Sequence, residues 1–361
     1  MKKPRASRQR KLQSKTIGMA PGTLVHVGEI KTEHPIISVF EYNSSHLTER
    51  ALTPADIATL KPDADNKLWL NIHGLHDAEL MKLVGAAFKL HPLVMEDILN
   101  TDQRPKVDTY DNYIYIVARC FHYDKNEMAI NSEQISLVMG KHFVLTFQER
   151  PTGAFEPVRE RMRAERAHIR ELDSDYLAYA LLDVVVDRYF IVLEDMGNDC
   201  ETLEEQLLHK PSNSLLHKIH QLKRASMELR RAVWPLREVI NSLLRNDDAR
   251  FSAGTILYLR DVYDHTVHFI ESLEAIRDLL GGMLDIYLSS ISNRVNMEVR
   301  ALTVVAMLFM PATLIAGIFG MNFHFMPWLA DQDGFWSALG LMAGIAISMG
   351  LIFWRRQWLS R

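Results

Sequence analysis

The sequence predicts an α/β domain, then a long helical stalk, then two membrane-spanning helices near the C-terminus. Three observations carry this prediction. Segments rich in β-branched and aromatic residues alternate with short helical patterns between residues 22 and 150. From Thr255 an apolar helical repeat continues without proline as far as Pro311. Two long apolar segments without charge then follow.

The composition excludes several classes of protein. The chain has 361 residues, of which 48% are hydrophobic and 24% charged, and these values exclude a disordered or collagen-like chain. Because 41 basic side chains are balanced by 45 acidic ones, a nucleic-acid partner bound through bulk positive charge is not expected. Cys120 and Cys200 form no CxxC motif, so a reducing compartment is expected for most of the chain.

The two apolar segments are Ala301–Phe319 and Gly334–Trp354. Each is long enough to cross about 30 Å of hydrocarbon. The alternative is a pair of buried core helices, but core helices rarely run so far without a charge on any face. The sequence therefore predicts a protein of the lipid bilayer with two spans.

The flanking charges predict the orientation of the spans. The short loop between them has only the acids Asp331 and Asp333, whereas basic residues flank their other ends: Arg294, Arg300, Arg355, Arg356 and Arg361. By the positive-inside rule both termini face the cytoplasm, and the expected location is the cell inner membrane.

The predicted organisation has seven segments. They are a basic disordered tail (1–21), a cytoplasmic α/β domain (22–154), a cytoplasmic helical region (155–254), a stalk helix (255–320) that becomes the first span at about residue 299, an outer loop (321–333), a second span (334–354) and a basic cytoplasmic end (355–361). The predicted strands are Leu24–Val27, Ile36–Phe40, Leu68–Ile72, Tyr113–Arg119, Gln134–Val138 and Phe143–Phe147. The predicted helices in the body include Asp77–Phe88, His91–Leu99 and Ser214–Leu244.

One face of the stalk helix is polar where a coiled-coil seam would be apolar. We call this face the polar seam. With alternating spacings of three and four, its members are Asp261, Asp264, His268, Glu271, Ala275, Asp278, Gly282, Asp285, Ser289, Ser292, Asn296, Val299, Thr303, Ala306, Met310, Thr313, Gly317 and Gly320. An acidic stripe is often only a solvated helix face, and small residues in a membrane often mark close helix packing.

A water-filled axial path explains both halves of the polar seam together. Acids gather cations at a cytoplasmic entrance, and Asn and Thr offer oxygen dipoles to a hydrated hard cation. Val299, Leu302 and Met310 are candidates for hydrophobic constrictions that gate by dewetting. Since two helices cannot enclose a pore, conduction requires an oligomer about one axis.

The first span ends in Gly320-Met321-Asn322, within AGIFGMNFHFMP. This placement resembles the signature of the CorA family of magnesium transporters, and the resemblance covers nearly the whole chain. HPLVMEDILN with QRPK resembles the family's N-terminal domain, and QLKR, WPLREV, RDVYDHT and YLSSISNRVN resemble its stalk. The terminal WRRQWL resembles the family's basic end.

The resemblance implies a funnel-shaped homopentamer that takes up Mg²⁺, with Co²⁺ and Ni²⁺ as plausible further ions. Gly320, Met321 and Asn322 would form the outer mouth, where the Asn322 side chain contacts the hydration shell of Mg²⁺. The pore-facing positions would be Asn296, Val299, Leu302, Thr303, Met310 and Thr313. Asp285 would lie at the cytoplasmic entrance of the pore.

The resemblance also implies a regulatory Mg²⁺ site between subunits, with Asp97 on one subunit and Asp261 on another. Asp183 would hold a nearby second cation. Two positions depart from the family's pattern, because His324 and Trp328 stand in the outer loop where acids are common. Either Asp331 and Asp333 take over the role of these acids, or the electric field at the outer mouth is weaker.

Three other readings of the sequence remain. A zinc-type transporter of the same superfamily is the nearest, and the fifteen histidines favour it superficially. A metalloenzyme using His91, Glu96 and Asp97 is disfavoured because the residues form no HExxH arrangement, so we expect no enzyme. A membrane-anchored coiled-coil scaffold would need an apolar seam. No P-loop is present, so no nucleotide is expected to drive transport.

Overall fold

The computed structural model describes residues 18–164, 168–245, 247, 249–321, 324, 327 and 333–356. It divides the chain into two compact units. The first runs to Gln206 and resumes from Asn213 to Gly282, and the second comprises Leu207–Ser212 and the chain from Met283 onward. Each unit is described separately.

The first unit contains a mixed sheet that has seven strands in the described part of the chain. The strands are β1 Ile36–Tyr42, β2 Leu47–Leu52, β3 Lys67–His73, β4 Lys106–Thr109, β5 Tyr113–Asp124, β6 Ala129–Gly140 and β7 Phe143–Gln148. Their order is β2-β1-β3-β7-β6-β5-β4. Strands β3 and β7 pair in parallel, and the other neighbours pair antiparallel.

Helices cover both faces of this sheet. On one face, helices α1 (Ala78–Ala87) and α2 (Pro92–Leu99) bury Met81, Val84 and Ile98 against the apolar side chains of the central strands. The second face meets helix α5 (Ser174–His209), whose Tyr189 hydroxyl donates to the Arg119 carbonyl of β5 at 2.6 Å. Strands β3 and β7 are buried along almost their whole length, as expected of central strands that are covered on both faces.

The remaining helices follow the sheet in the sequence. They are α3 Glu156–Arg163, α4 His168–Glu171, α5 Ser174–His209, α6 Asn213–Arg245, α7 Ala253–Phe319 and α8 Gly334–Arg355. Within the first unit, α7 buries an apolar stripe that includes Leu259, Val262, Phe269 and Leu273. The Phe269 ring lies 5.4 Å from the Tyr189 ring of α5, centroid to centroid. This stripe therefore joins the long helices to each other.

The second unit contains the C-terminal part of α7 and the whole of α8. Both helices are long and apolar enough to cross a membrane, and only 6% of the most apolar stretch of each is buried. The mixed-sheet domain, the long helix and the two apolar C-terminal helices agree with the fold class that the sequence predicts.

The strands differ from prediction at three places. Leu24–Val27 is not a strand, because Val27 makes only an isolated parallel bridge to Asn100. Strands β2 and β4 were not predicted, and they form the two edges of the sheet. The charged and exposed residues of β2 are typical of an edge strand, which tolerates side chains that a central strand would exclude.

Replacing Phe269 with alanine should destabilise the first unit strongly, because the ring is fully buried between the long helices. Removal of a buried phenylalanine costs about 3–5 kcal/mol. The adjacent His268 is exposed, so His268→Ala is the matched control and should change stability little. Thermal unfolding of both variants checks the expectation, and equal midpoints would contradict the assigned helix faces.

Candidate functional site

In the first unit the polar seam lies on the exposed side of α7. Asp261, Asp264 and Glu271 are exposed, while Val262 and Phe269 between them are buried. Because the apolar stripe is buried, the polar seam on the opposite side of the helix faces solvent. The acids form a negatively charged surface along one helix. One countercharge on this surface is Arg277, which lies 3.0 Å from Asp278.

In the second unit the seam is also exposed, apart from the half-buried Thr303. Asp285 and Asn296 are exposed. The three candidate constriction residues expose large apolar side chains, at 55% for Val299, 70% for Leu302 and 66% for Met310. Such apolar exposure on a single chain requires cover by lipid or by further copies.

Two threonines of the seam present hydroxyl oxygens in a defined way. The Thr303 hydroxyl donates to the Val299 carbonyl at 2.7 Å, and the Thr313 hydroxyl donates to the Phe309 carbonyl at 2.9 Å. Because each hydroxyl has one proton and uses it within its own helix, its oxygen lone pairs remain as acceptors. These positions therefore offer acceptor oxygen to a cation or to the water around it.

The outer end of the first span is described as far as Met321. The Gly320 amide donates to the Ala316 carbonyl at 2.9 Å and the Met321 amide to the Ile318 carbonyl at 3.2 Å, so the helix tightens as it ends. Asn322 and Trp328 lie outside the described residues, and His324 is exposed.

Asp97 is held by its own chain. Its carboxylate accepts hydrogen bonds from Lys106 Nζ at 2.6 Å and from Gln103 Nε2 at 2.8 Å. Lys106 also pairs with Asp108 at 2.7 Å. Burial acts to lower the pKa of Lys106, but hydrogen bonds to Asp108 and Asp97 outweigh it and the pKa is raised. A cation at Asp97 would therefore compete with a firmly charged lysine.

Neighbouring polar residues of helix α2 do not converge on one point. The His91 ring nitrogen accepts from the Leu93 amide at 3.2 Å and caps the helix. The Glu96 carboxylate accepts from the Gly22 amide at 2.6 Å. Each side chain of the metalloenzyme alternative, including Asp97, thus has a separate local partner, which argues against a catalytic metal there.

Asp183 and Asp261 come close to each other through a histidine. Asp183, Asp187 and His265 bring one ligand atom each within 4.8 Å of one another. His265 Nε2 also lies 3.8 Å from Asp261 Oδ2. Asp187 and His265 were not predicted from the sequence, although the spacings 183/187 and 261/265 place each pair on one helix face. Between described residues, Asp97 shares no hydrogen bond or ion pair with this group.

The Asp183 cluster (Asp183, Asp187, Asp261 and His265) concentrates negative charge. Burial, followed by the charge of Asp187, raises the pKa of Asp183 to about 6, against the opposing charges of Arg161 and His265. A proton on such a carboxylate reduces its repulsion with neighbouring carboxylates. A bound cation reduces the same repulsion. The oxygen and imidazole donors suit Mg²⁺, Co²⁺ or Ni²⁺.

The chain was compared with known proteins. The family model described as "CorA-like Mg2+ transporter protein" matches residues 65–356. The "Cobalt/magnesium transport protein CorA" of Thermotoga maritima is 43% identical over 342 residues, covering 95% of this chain and 97% of that protein. A second protein of that name, from Methanocaldococcus jannaschii, is 23% identical over 295 residues, covering 81% of this chain and 91% of that protein.

Solved structures share the fold. The complete CorA structure from M. jannaschii matches with a TM-score of 0.77 at 20% identity, covering 91% of this chain and 99% of that chain. The cytoplasmic domain of ZntB from Vibrio parahaemolyticus matches with a TM-score of 0.57 at 12% identity, covering 71% of this chain and 99% of that one. At these identities both likenesses concern the fold alone.

Together these findings define a membrane protein of the two-span transporter class, in which a mixed-sheet domain precedes a long helix and two apolar helices. The chain belongs to the CorA-like Mg²⁺ transporter family. This is a family of transporters and not of enzymes.

Replacing Asp183 with asparagine should stabilise the chelator-treated protein above pH 6. The folded-state pKa is raised to about 6, so the folded protein retains a proton that the unfolded chain has lost. Wild-type stability therefore rises as the pH falls through about 6 toward the usual aspartate value near 4, and the penalty of charged Asp183 is fully present above pH 6.

The expected gain is on the order of 1 kcal/mol at pH 7.5, after allowance for solvent screening. It should vanish near pH 4. Thermal unfolding across this pH range provides the measurement, with the exposed Asp264→Asn as the matched control. A variant that is less stable than wild type at pH 7.5 would show that Asp183 does not bear this charge penalty.

Proposed function

We propose that the chain conducts Mg²⁺ into the cell as a homopentamer, with Co²⁺ and Ni²⁺ as further permeant ions. The observation that carries the proposal is the polar seam of α7. The seam is acidic in the first unit, rich in small residues, Asn and Thr in the second, and exposed on both apart from half-buried Thr303. Membership of a Mg²⁺ transporter family supports this reading, as does the cobalt and magnesium transport named for the T. maritima relative.

In a symmetric oligomer, the exposed surface of α7 would be covered by other copies of the chain. Copies of α7 around one axis bring the seam together and leave the remaining apolar surface for α8 and lipid. The low burial of both apolar helices in a single chain supports such an arrangement. The pentameric number rests on the resemblance to CorA transporters.

The path selects for a hydrated hard cation. Asn322 at the outer mouth would bind Mg²⁺ through its hydration shell, because Mg²⁺ releases water reluctantly. Gly320 and Met321 would complete the outer mouth beside it. Further in, the acceptor oxygens of Thr313 and Thr303 continue the same chemistry.

The gate lies at the apolar positions of the seam and beside it. Val299, Leu302 and Met310 expose large side chains, and a ring of each in an oligomer would exclude water from a narrow pore. Below them, Asn296 and Asp285 would rehydrate and attract the ion on the cytoplasmic side.

The membrane potential drives the ion inward. With both termini in the cytoplasm of a cell whose inner membrane holds the protein, a divalent cation gains about 4.6 kcal/mol per 100 mV, twice the value for one charge. Arg355 at the end of α8 fits the cytoplasmic surface of the bilayer. No nucleotide is required.

Cytoplasmic Mg²⁺ closes the channel by binding acids between subunits. At low Mg²⁺ the carboxylates of Asp97, Asp261 and Asp183 lack a bridging cation and repel, which loosens the funnel. At high Mg²⁺ they are bridged, so the closed state is favoured through its higher affinity for the ion. The raised pKa of Asp183 supports this, because its causes are burial and, after it, repulsion by the charge of Asp187.

A zinc-type transporter is the second candidate. The fold likeness to ZntB allows it, and His265 in the Asp183 cluster adds one nitrogen ligand. The apolar segments 301–319 and 334–354 contain no His or Cys, and zinc favours such ligands. Mg²⁺ therefore remains the better candidate for the conducted ion.

Replacing Asn322 with alanine should abolish selective uptake without preventing assembly, since it removes the oxygen that meets the hydrated ion. Mg²⁺ flux into liposomes should fall about tenfold or more. Ser348→Ala on α8 is the control, because that hydroxyl is bonded to the Gly344 carbonyl of its own helix. Normal flux in the Asn322 variant would refute the role of the outer mouth.

Replacing Asp261 with alanine should weaken the protection from proteolysis that Mg²⁺ confers on the assembled protein. One lost carboxylate should shift the required Mg²⁺ concentration upward by about tenfold. Asp264→Ala removes an exposed acid one seam position away and should leave protection as in wild type. Identical Mg²⁺ dependence in the two variants would count against a regulatory site at Asp261.

A further inference from the structure

The first unit contains a cavity of about 350 Å³ whose lining includes no residue of the polar seam or of the Asp183 cluster. It is formed where helix α5 crosses the ends of strands β5, β6 and β7. Its lining includes Cys120, His122, Glu133, Arg150 and Arg188. The volume is sufficient for a small molecule but not for a polymer segment.

The cationic side chains in this lining differ in how they are paired. Arg150 Nε donates to the Glu133 carboxylate, so those two charges largely cancel. Arg188 Nε is buried and has no hydrogen-bond partner. Among the described residues no carboxylate forms an ion pair with Arg188. One positive charge at the wall of the cavity is therefore not compensated.

The Cys120 thiol, which shares a hydrogen bond with the Arg188 guanidinium, does not supply the missing negative charge. Burial raises the pKa of the Cys120 thiol, and the adjacent Arg188 guanidinium opposes this shift without reversing it. Cys120 is thus a neutral thiol at physiological pH. A buried guanidinium N–H without a partner is costly, and the cost is removed by an anion that accepts from it.

The geometry points to a binding site in this cavity for a small metabolite with a phosphate or carboxylate group. Arg188 would donate to the oxyanion, and Arg150 at the rim would add a second guanidinium while it keeps Glu133. Guanidinium groups match the planar geometry of carboxylate and phosphate oxygens and bind them by paired hydrogen bonds. The lining shares no residue with the proposed pore or with the proposed regulatory acids, so this inference does not rest on the proposed function.

The two cysteines of the chain make this proposal testable. Cys120 lines the cavity, whereas Cys200 is buried on α5 outside it. In the full-length protein in detergent, inorganic phosphate or succinate should slow alkylation of Cys120 by N-ethylmaleimide. At a concentration ten times the dissociation constant the slowing should be about tenfold. Alkylation of Cys200 should not change, and chloride at equal ionic strength should protect neither cysteine.

Arg188→Gln should weaken the protecting anion about tenfold or more, since it removes a charged hydrogen bond. Arg237→Gln is the matched control, because that guanidinium pairs with Glu238 and lies outside the cavity. If Arg188→Gln does not fold, Arg150→Gln serves in its place and should weaken protection severalfold. Cys200 alkylation reports folding in every variant.

Protection by phosphate alone or by succinate alone would support the site and identify the class of anion. Failure of both anions to protect Cys120 would overturn the proposal. Equal protection in Arg188→Gln and wild type would overturn it as well. So would an equal loss in Arg188→Gln and Arg237→Gln, because that result would indicate unspecific screening.

Discussion

The apolar stripe of helix α7 is the constraint from which the arrangement of the other groups follows. Leu259, Val262, Phe269 and Leu273 are buried in the first unit, and a helix that buries one face must present the opposite face outward. The acids of the polar seam are exposed for that reason. The seam's acidic surface is thus a consequence of core packing, and function uses the face that packing leaves free.

The predicted regulatory acids differ in how their negative charge is compensated. Asp97 lies on α2, beside a strand edge that supplies Lys106, and its charge is compensated within the chain. Asp183 lies on α5 next to Asp187, and the residues of α7 in the same cluster are Asp261 and His265. Burial, followed by the charge of Asp187, raises the pKa of Asp183 to about 6. On the proposed function, a cation gains more at the Asp183 cluster than at Asp97, where it must compete with a lysine.

Features that repeat along the chain could be predicted from the sequence, and those that depend on distant residues could not. The central strands and the apolar helices have regular patterns, so their positions follow from local chemistry. The edge strands β2 and β4 lack a pattern because one side of each is unpaired. His265 meets Asp183 and Asp187 only because α5 packs against α7, and the pairing of Asp97 with Lys106 also depends on the tertiary fold. The assignment of Asp97 and Asp261 to one site came from the family resemblance, and Asn322 lies outside the described residues.

Conduction and regulation, as proposed, use different ligand chemistry. The described seam within the apolar helix offers amide, hydroxyl and carbonyl oxygen, which binds Mg²⁺ through water. The Asp183 cluster adds the imidazole of His265, and imidazole favours Co²⁺ and Ni²⁺ over Mg²⁺. A pore with oxygen ligands passes these hydrated ions with little discrimination, whereas a sensor that includes nitrogen binds the transition metals more tightly. It follows that Co²⁺ or Ni²⁺ would favour the closed state at lower concentrations than Mg²⁺, so the sensor would restrict the entry of ions that the pore itself does not exclude.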